Sequence, residues 1–339
     1  MRRRSFLRYS LGAGAAAGVG LLKAPLVAAM TGSESLVMQL DWKFNVQFAG
    51  LLMADHLGLY ADKGLTVSTK PWESDMVVPA TVAASDLMIG CAEQNLILEA
   101  QAEGTSLKAV ATMFQASPYA LMTMPDSGLT TLNDLVGKSV GVHVDGVKVM
   151  ELVKGVNGIA PDAIEVVEIP YEDKLGRLIR GELAALQCYA VDEPVAFANQ
   201  VGTDPILLPM DAYGYEAYAQ TFFTTDAMLA THGEQVKAFL AASFAGWAAA
   251  LADIPGTAKI VAEKYAEPGS KYTDVGYQTR SLELVSEYVM RGISPAQIGL
   301  IDGDRWMQAA TRMAEYNIIN AAPSLEASLD LSQWSGMSV

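Results

Sequence analysis

An α/β fold in two lobes is predicted for this 339-residue chain by three features of its patterning. Short apolar runs alternate with amphipathic segments from Leu36 to about Met210, as strands and helices do when they follow one another. The turn chemistry of Met124-Pro125-Asp126-Ser127-Gly128 interrupts that alternation, and a second α/β unit opens behind it at Thr131. From Thr225 onward only helical spacing remains. The expected organisation is a first lobe of residues 30–124 and 218–339, interrupted by a second lobe of residues 125–217. A chain that crosses twice between lobes makes a hinge.

Taken in order, the strand candidates are the short apolar runs 36–40, 65–68, 87–91, 107–114, 121–124, 139–143, 164–169, 184–189, 206–208 and 221–224. Helix candidates fill the gaps at 50–57, 76–84, 96–102, 147–156, 174–180 and 194–200. Residues 235–251 are alanine-rich and carry Phe239, Leu240, Phe244 and Trp247 at helical spacing, a core-facing stripe. Asp253-Ile254-Pro255-Gly256 breaks that helix from two more, at 273–290 and 304–319. No repeat of solenoid period is present.

The composition, 51% hydrophobic and 18% charged, supports one large core or two medium ones. The body holds no run of 18 uninterrupted apolar residues, which argues against a membrane span there. The N-terminus differs. Arg2-Arg3-Arg4-Ser5-Phe6-Leu7 precedes a Gly/Ala-rich apolar run at 11–22, then Lys23 and the small residues Val27-Ala28-Ala29. This reads as a twin-arginine export signal spanning residues 1–29, cleaved near residue 29, which expects a periplasmic protein. No cysteine stands near it to carry a lipid. Removing its five basic groups takes the formal net charge from −15 to −20. Such a body repels nucleic acid and anionic membranes. Cys91 and Cys188 fall in different expected lobes without metal-ligand spacing, and read as buried free thiols. His56, His143 and His232 are far apart and read as lone core or surface histidines, so no metal or other cofactor is expected.

Candidate site residues cluster at strand ends, where open α/β sheets expose crevices. Trp42 ends the first strand candidate and offers an indole face for stacking, or packs on the helix behind it. Asn45 and Gln47 supply amide donors and acceptors, or cap that helix. Glu93 and Gln94 follow the 87–91 strand and open a helix, where an acid also complements the helix dipole. Asp145 and Gly146 precede a helix of the second lobe, and the glycine allows close backbone approach. Tyr189, Asp192 and Glu193 end another strand, with Pro194 at a first helical position. Tyr213, Tyr215 and Tyr218 form a cluster before the returning strand.

On Leu40-Asp41-Trp42, Gln47-Phe48-Ala49-Gly50, Gly58-Leu59-Tyr60, Lys63-Gly64-Leu65-Thr66-Val67, Asp134-Leu135-Val136-Gly137-Lys138 and Thr224-Thr225-Asp226, the chain resembles periplasmic solute-binding proteins of the SsuA/thiamine-pyrimidine type. The matches span most of the chain beyond residue 29. The resemblance implies a type II periplasmic-binding-protein fold whose lobes close on a small molecule, a monomer, and an ABC permease in the inner membrane as partner. It implies a binder, not an enzyme, for a heterocycle such as a thiamine pyrimidine precursor. Riboflavin, or an alkanesulfonate, taurine or nitrate, are the alternatives. Phe48 stands where thiamine-precursor binders often place a histidine. Thiamine pyrimidine synthases share the fold, but Ala92 and Leu96 take the places of their Schiff-base lysine and substrate histidine. Tyr218-Ala219-Gln220-Thr221-Phe222 lacks their cysteines.

Overall fold

Two five-stranded sheets absorb the apolar runs of the sequence. The computed structural model describes residues 35–171 and 174–337; the expected export segment, residues 1–29, lies outside them. The strands are β1 (Leu36–Gln39), β2 (Val67–Lys70), β3 (Met88–Ala92), β4 (Leu107–Phe114), β5 (Tyr119–Thr123), β6 (Ser139–Val142), β7 (Glu165–Glu168), β8 (Ala185–Tyr189), β9 (Ile206–Pro209) and β10 (Ala219–Thr225). The first sheet runs β2-β1-β3-β10-β4 and the second β7-β6-β8-β5-β9. β10 lies antiparallel to both neighbours in the first sheet, and β5 does the same in the second. The remaining pairs are parallel, for example Val37↔Met88 and Val140↔Ala185.

The helices are α1 (Ala49–His56), α2 (Leu59–Asp62), α3 (Val78–Ala83), α4 (Gln94–Ala102), α5 (Val144–Val156), α6 (Lys174–Ile179), α7 (Glu193–Val201), α8 (Asp226–Ala252), α9 (Ile254–Ile260), α10 (Val275–Val289), α11 (Gly303–Glu315) and α12 (Leu325–Ser328). α8 starts at Asp226, earlier than the expected 235, because Thr225 caps it by accepting from the Met228 N–H at 3.1 Å. His232 then kinks it. Its Phe239, Leu240, Phe244 and Trp247 are buried. α1 crosses α8 closely because both faces are glycine: a Cβ on Gly50 would meet the Trp247 ring at 2.2 Å, and one on Gly246 the Gly50 carbonyl at 2.0 Å. By length and composition α8 could cross a bilayer, yet 50% of its apolar window is buried in the core.

The expected lobe boundary at 124/125 needs correction. The apolar run before it forms β5, which pairs with β8 and β9 of the second sheet, so the chain crosses between β4 and β5. The turn at 125–128 lies within the second lobe, where the Ser127 hydroxyl donates to the Met124 carbonyl at 2.7 Å. An apolar run does not say which sheet it joins; a proline-glycine turn marks a bend, not a lobe change. The chain returns between β9 and β10, which sits at the fourth place of the first sheet.

The parallel strands of both sheets point their carboxyl ends at one cleft. β1 delivers Asp41 and Trp42, β2 Trp72, and β3 Glu93. From the second sheet β6 delivers His143 and Asp145, β7 Tyr171, and β8 Asp192 and Glu193. Side chains just past strand ends escape the sheet's own packing, so they are free to face a ligand.

Candidate functional site

The cleft holds a cavity of 1170 Å³. One side is aromatic. Trp42 and Trp72 stack with ring centroids 5.4 Å apart and planes 25° from parallel. Tyr171 of the second lobe packs against both, at 5.1 Å from Trp42 and 5.4 Å from Trp72, and stacks on His143 at 4.0 Å. The Trp42 indole is held in place: its Nε1 donates to Tyr272 Oη at 2.7 Å, and Tyr272 donates to Asp192 at 2.9 Å. Rings this close and offset are the geometry that planar heterocycles also adopt on indoles.

The other side is acidic, and its acids fall in two groups. Asp41, Glu93 and Asp145 form no ion pair, although the Lys174 charge draws Asp145 down against its burial. Burial pushes Asp41 up to about 7 and Glu93 up to about 8, and raises Asp145 as well. Glu93 is gripped instead by hydroxyls: Ser117 and Tyr215 donate at 3.1 Å each, and Tyr189 donates too. Asp145 accepts from the Gln187 amide at 3.3 Å. Asp41 is approached by the Cys91 thiol at 3.7 Å and hydrogen-bonded by Gln220. Asp192 and Glu193 form the second group. Lys271 meets Asp192 at 3.0 Å, and the buried Lys174 meets Glu193. Burial works to raise Glu193, but the Lys174 ammonium beside it wins and holds the carboxyl below its usual range. His143 lies 3.0 Å from Lys174 and is pushed down to about 4 by burial and that charge, so it is neutral at physiological pH.

Gln220 stands out in this wall. It is buried and holds a φ of 51°, a left-handed conformation uncommon away from glycine. Its Oε1 is buried without a hydrogen-bond partner.

Of the residues expected to bind, Trp42, Gln47, Glu93, Asp145, Tyr189, Asp192 and Glu193 line this cavity. The others do not, and each has a local reason. Asn45 is buried as a cap, its Oδ1 accepting from the Gln47 N–H at 2.7 Å. Phe48 is wholly buried in the first-lobe core. Gln94 bridges the Trp306 carbonyl at 3.1 Å and the Tyr218 N–H at 2.9 Å. Gly146 backs onto Tyr119 and Gln187, where a Cβ would meet Tyr119 Oη at 1.8 Å. Tyr215 reaches the site only through Glu93, and also donates to Asn95 at 2.7 Å. Tyr218 accepts from the Asp302 N–H at 2.9 Å and stacks on Trp306, away from the cleft. Asp192 lines the cavity with its carboxylate already taken by Tyr272, Tyr277 and Lys271.

Trp72, His143, Tyr171, Gln187 and Gln220 were missed. His143 is buried, as a core histidine would be, and also lines the cavity. Trp72, Tyr171 and His143 share one signal, a position just past a strand end, that an even-handed reading of every strand would have found. Gln187 points into the cavity from within β8, and nothing in its neighbours marks it. Among the described residues, no group of three or more His, Cys, Asp or Glu is arranged to hold a metal ion.

The model of a family described as NMT1/THI5 like matches residues 45–257. Riboflavin-binding protein RibY of Chloroflexus aurantiacus is 26% identical over 317 residues, covering 91% of this chain and 87% of the relative. The 4-amino-5-hydroxymethyl-2-methylpyrimidine phosphate synthase of Legionella pneumophila is 25% identical over 143 residues, 42% of this chain and 45% of its own. Among solved structures, the periplasmic aliphatic sulphonate binding protein SsuA of Escherichia coli superposes with a TM-score of 0.66 at 13% identity, covering 91% of this chain and 94% of that one. The fold is therefore the two-lobed periplasmic-binding-protein fold.

Proposed function

This chain belongs to the NMT1/THI5-like family, and on that premise we propose that it is the periplasmic solute-binding component of an ABC importer. Its ligand is a flat, uncharged or weakly basic aromatic heterocycle, and it performs no chemistry on it. The observation that carries this reading is the aromatic wall of Trp42, Trp72 and Tyr171 facing a cavity of 1170 Å³. A ring seated against Trp42 gains stacking of roughly 0.5–1.5 kcal/mol beyond its buried area. The carboxyls of Asp41 and Asp145 take the donors at its edge. Together these suffice for micromolar binding, which corresponds to about 8 kcal/mol. Closure of the lobes follows to the extent that the ligand prefers the closed form. The closed monomer then docks on an inner-membrane permease.

Two heterocycles fit this description. A flavin is favoured, because the cavity exceeds the roughly 300–1,000 Å³ usual for small-molecule sites and the relative that spans 91% of the chain is named for riboflavin. An aminopyrimidine of thiamine synthesis is the second reading. Its support is the acidic floor, since a carboxyl pairs well with a ring nitrogen and its neighbouring exocyclic amine, together with the shorter match to a pyrimidine phosphate synthase. A synthase role finds no amine at the expected place: Ala92 and Leu96 line the cavity, and the two lysines that line it are each held by a carboxylate.

Titration of the purified protein with riboflavin, read by quenching of flavin fluorescence, tests the reading. Saturable one-to-one quenching that Trp42→Ala weakens is expected. A folded protein that neither quenches riboflavin nor gives heat with 4-amino-5-hydroxymethyl-2-methylpyrimidine overturns it.

A further inference from the structure

Three helices aim their N-termini at the cleft, the arrangement that commonly receives an anion. They are α4, α5 and α7, of 9, 13 and 9 residues. In this chain an acidic residue stands at each of these starts, and Asp145 meets the N–H groups of its own helix. Glu93 stands at the start of α4, Glu193 opens α7, and Asp145 occupies the first turn of α5 with its carboxylate on the N–H groups of Asp145 and Gly146.

The cations are spent in the same way. Among the described residues the cavity wall carries nine carboxyl side chains and two lysines, and no arginine. Lys174 is taken by Glu193, and Lys148 by Glu99 at 2.8 Å. Lys271 reaches Asp192 from behind the wall. Lys43, outside the lining, stands over the Trp72 ring at 5.9 Å. Among the described residues, no lysine or arginine that lines the cavity is left without a carboxylate partner for a negatively charged ligand to meet.

We infer that the cleft discriminates by charge: it takes the unphosphorylated form of its ligand and excludes the phosphate ester, as well as free oxyanions such as sulfonates. The inference rests on the heterocycle reading for the ester and on the wall alone for the free anions. A phosphate monoester brings about −1.5 to −2 charges at neutral pH. Set several ångströms from Asp145 and the outer glutamates at an effective dielectric near 20, it weakens binding on the order of a hundredfold.

The test compares riboflavin with flavin mononucleotide, and 4-amino-5-hydroxymethyl-2-methylpyrimidine with its phosphate, by calorimetry on the purified protein. In the pair that binds, the phosphorylated member is expected about a hundredfold weaker. The gap should narrow as added salt shortens the screening length from about 30 to about 3 Å. Equal affinity within the pair overturns the inference while leaving the heterocycle reading standing. Silence from both pairs overturns that reading. The free-anion arm then decides alone: inorganic phosphate and ethanesulfonate should leave the melting temperature unchanged, and a saturable rise with either overturns the charge discrimination itself.

Discussion

Two groups of acids share one cleft and live under opposite electrostatics. Asp192 and Glu193, at the start of α7, have lysines at their sides and hydroxyl or backbone donors around them. Asp41, Glu93 and Asp145 have donors but no ion pair, and burial pushes their carboxyls up, outweighing the Lys174 charge near Asp145. The difference separates structure from function at a site where every residue looks equally polar. The compensated pair is finished business: it ties α7 to α6 and to the loop before α10, and through Tyr272 it aims Trp42. The trio lines the cavity without an ion pair, which is why the proposed function assigns Asp41 and Asp145 to the ligand's donors.

The largest effect should come from breaking the compensated pair. Lys174→Met leaves Glu193 charged, buried and without its partner, which costs about 3–5 kcal/mol. A fall of several degrees or more in melting temperature is expected from calorimetric scans. Glu93→Gln keeps the shape and the hydroxyl partners of an acid that is neutral already, so its melting temperature should move little. If the two variants melt alike, the division into two groups is wrong.

Next comes the aromatic wall that the compensated pair supports. Trp42→Ala should weaken riboflavin binding by about 2 kcal/mol, roughly thirtyfold, with the circular dichroism spectrum unchanged. Tyr272→Phe removes only the hydroxyl between Trp42 and Asp192. A loss of about 1 kcal/mol in affinity is expected from it, and full affinity would show that Trp42 needs no such support.

The pH dependence of stability should split along the same line. Asp41 and Glu93 keep their protons in the folded chain up to about 7 and about 8, whereas the unfolded chain has lost them by about pH 4. Over that window the folded state binds more protons, so stability is full below it and declines as the pH rises, by at most about 1.4 kcal/mol per unit for each group. Glu193 works in the opposite sense. Its folded carboxyl is held below the usual range by Lys174, so its contribution is present above about pH 4 and is lost as the pH falls further. Melting temperatures between pH 4 and 9 should therefore fall toward the alkaline end. Asp41→Asn combined with Glu93→Gln should flatten that slope, and an unchanged slope would place the titrating groups elsewhere.

Much of this site was legible before any coordinates, and what was not has a physical reason. Trp42, Glu93, Asp145, Tyr189, Asp192 and Glu193 were found because each lies at or just past a strand end, and strand ends are readable from apolar runs. Asn45 and Gln94 lie off the cavity because a polar side chain at a helix start can turn either way, and Tyr218, leading into β10, turns to Asp302 and Trp306. Capping, or bridging to another element, is decided by neighbours far away in sequence, such as Trp306 beneath Gln94. Whether an acid is compensated was invisible for the same reason. Lys271 lies 79 positions from Asp192, and charge sign alone does not disclose the pairing. The lobe boundary failed because β5 reads like any other apolar strand, and only its partners assign it to the second sheet.

The smallest effect is expected where the two lobes meet across the mouth of the cleft. Lys148 on α5 and Glu99 on α4 join at 2.8 Å, but the lysine side chain is 43% exposed. This pair resembles Lys174 and Glu193 in a contact diagram and differs from it in surroundings. Water already solvates the lysine, and Glu99, 16% exposed, keeps the Asn95 amide as a donor at 3.3 Å, so the ion pair contributes about 0–1 kcal/mol. Lys148→Ala should leave the melting temperature nearly unchanged. Because the pair joins one lobe to the other, its effect belongs to the closed form, and riboflavin should leave the variant a few-fold faster in stopped-flow release. High salt should erase the difference. A variant that instead lost as much stability as Lys174→Met would show that the mouth is as dry as the floor.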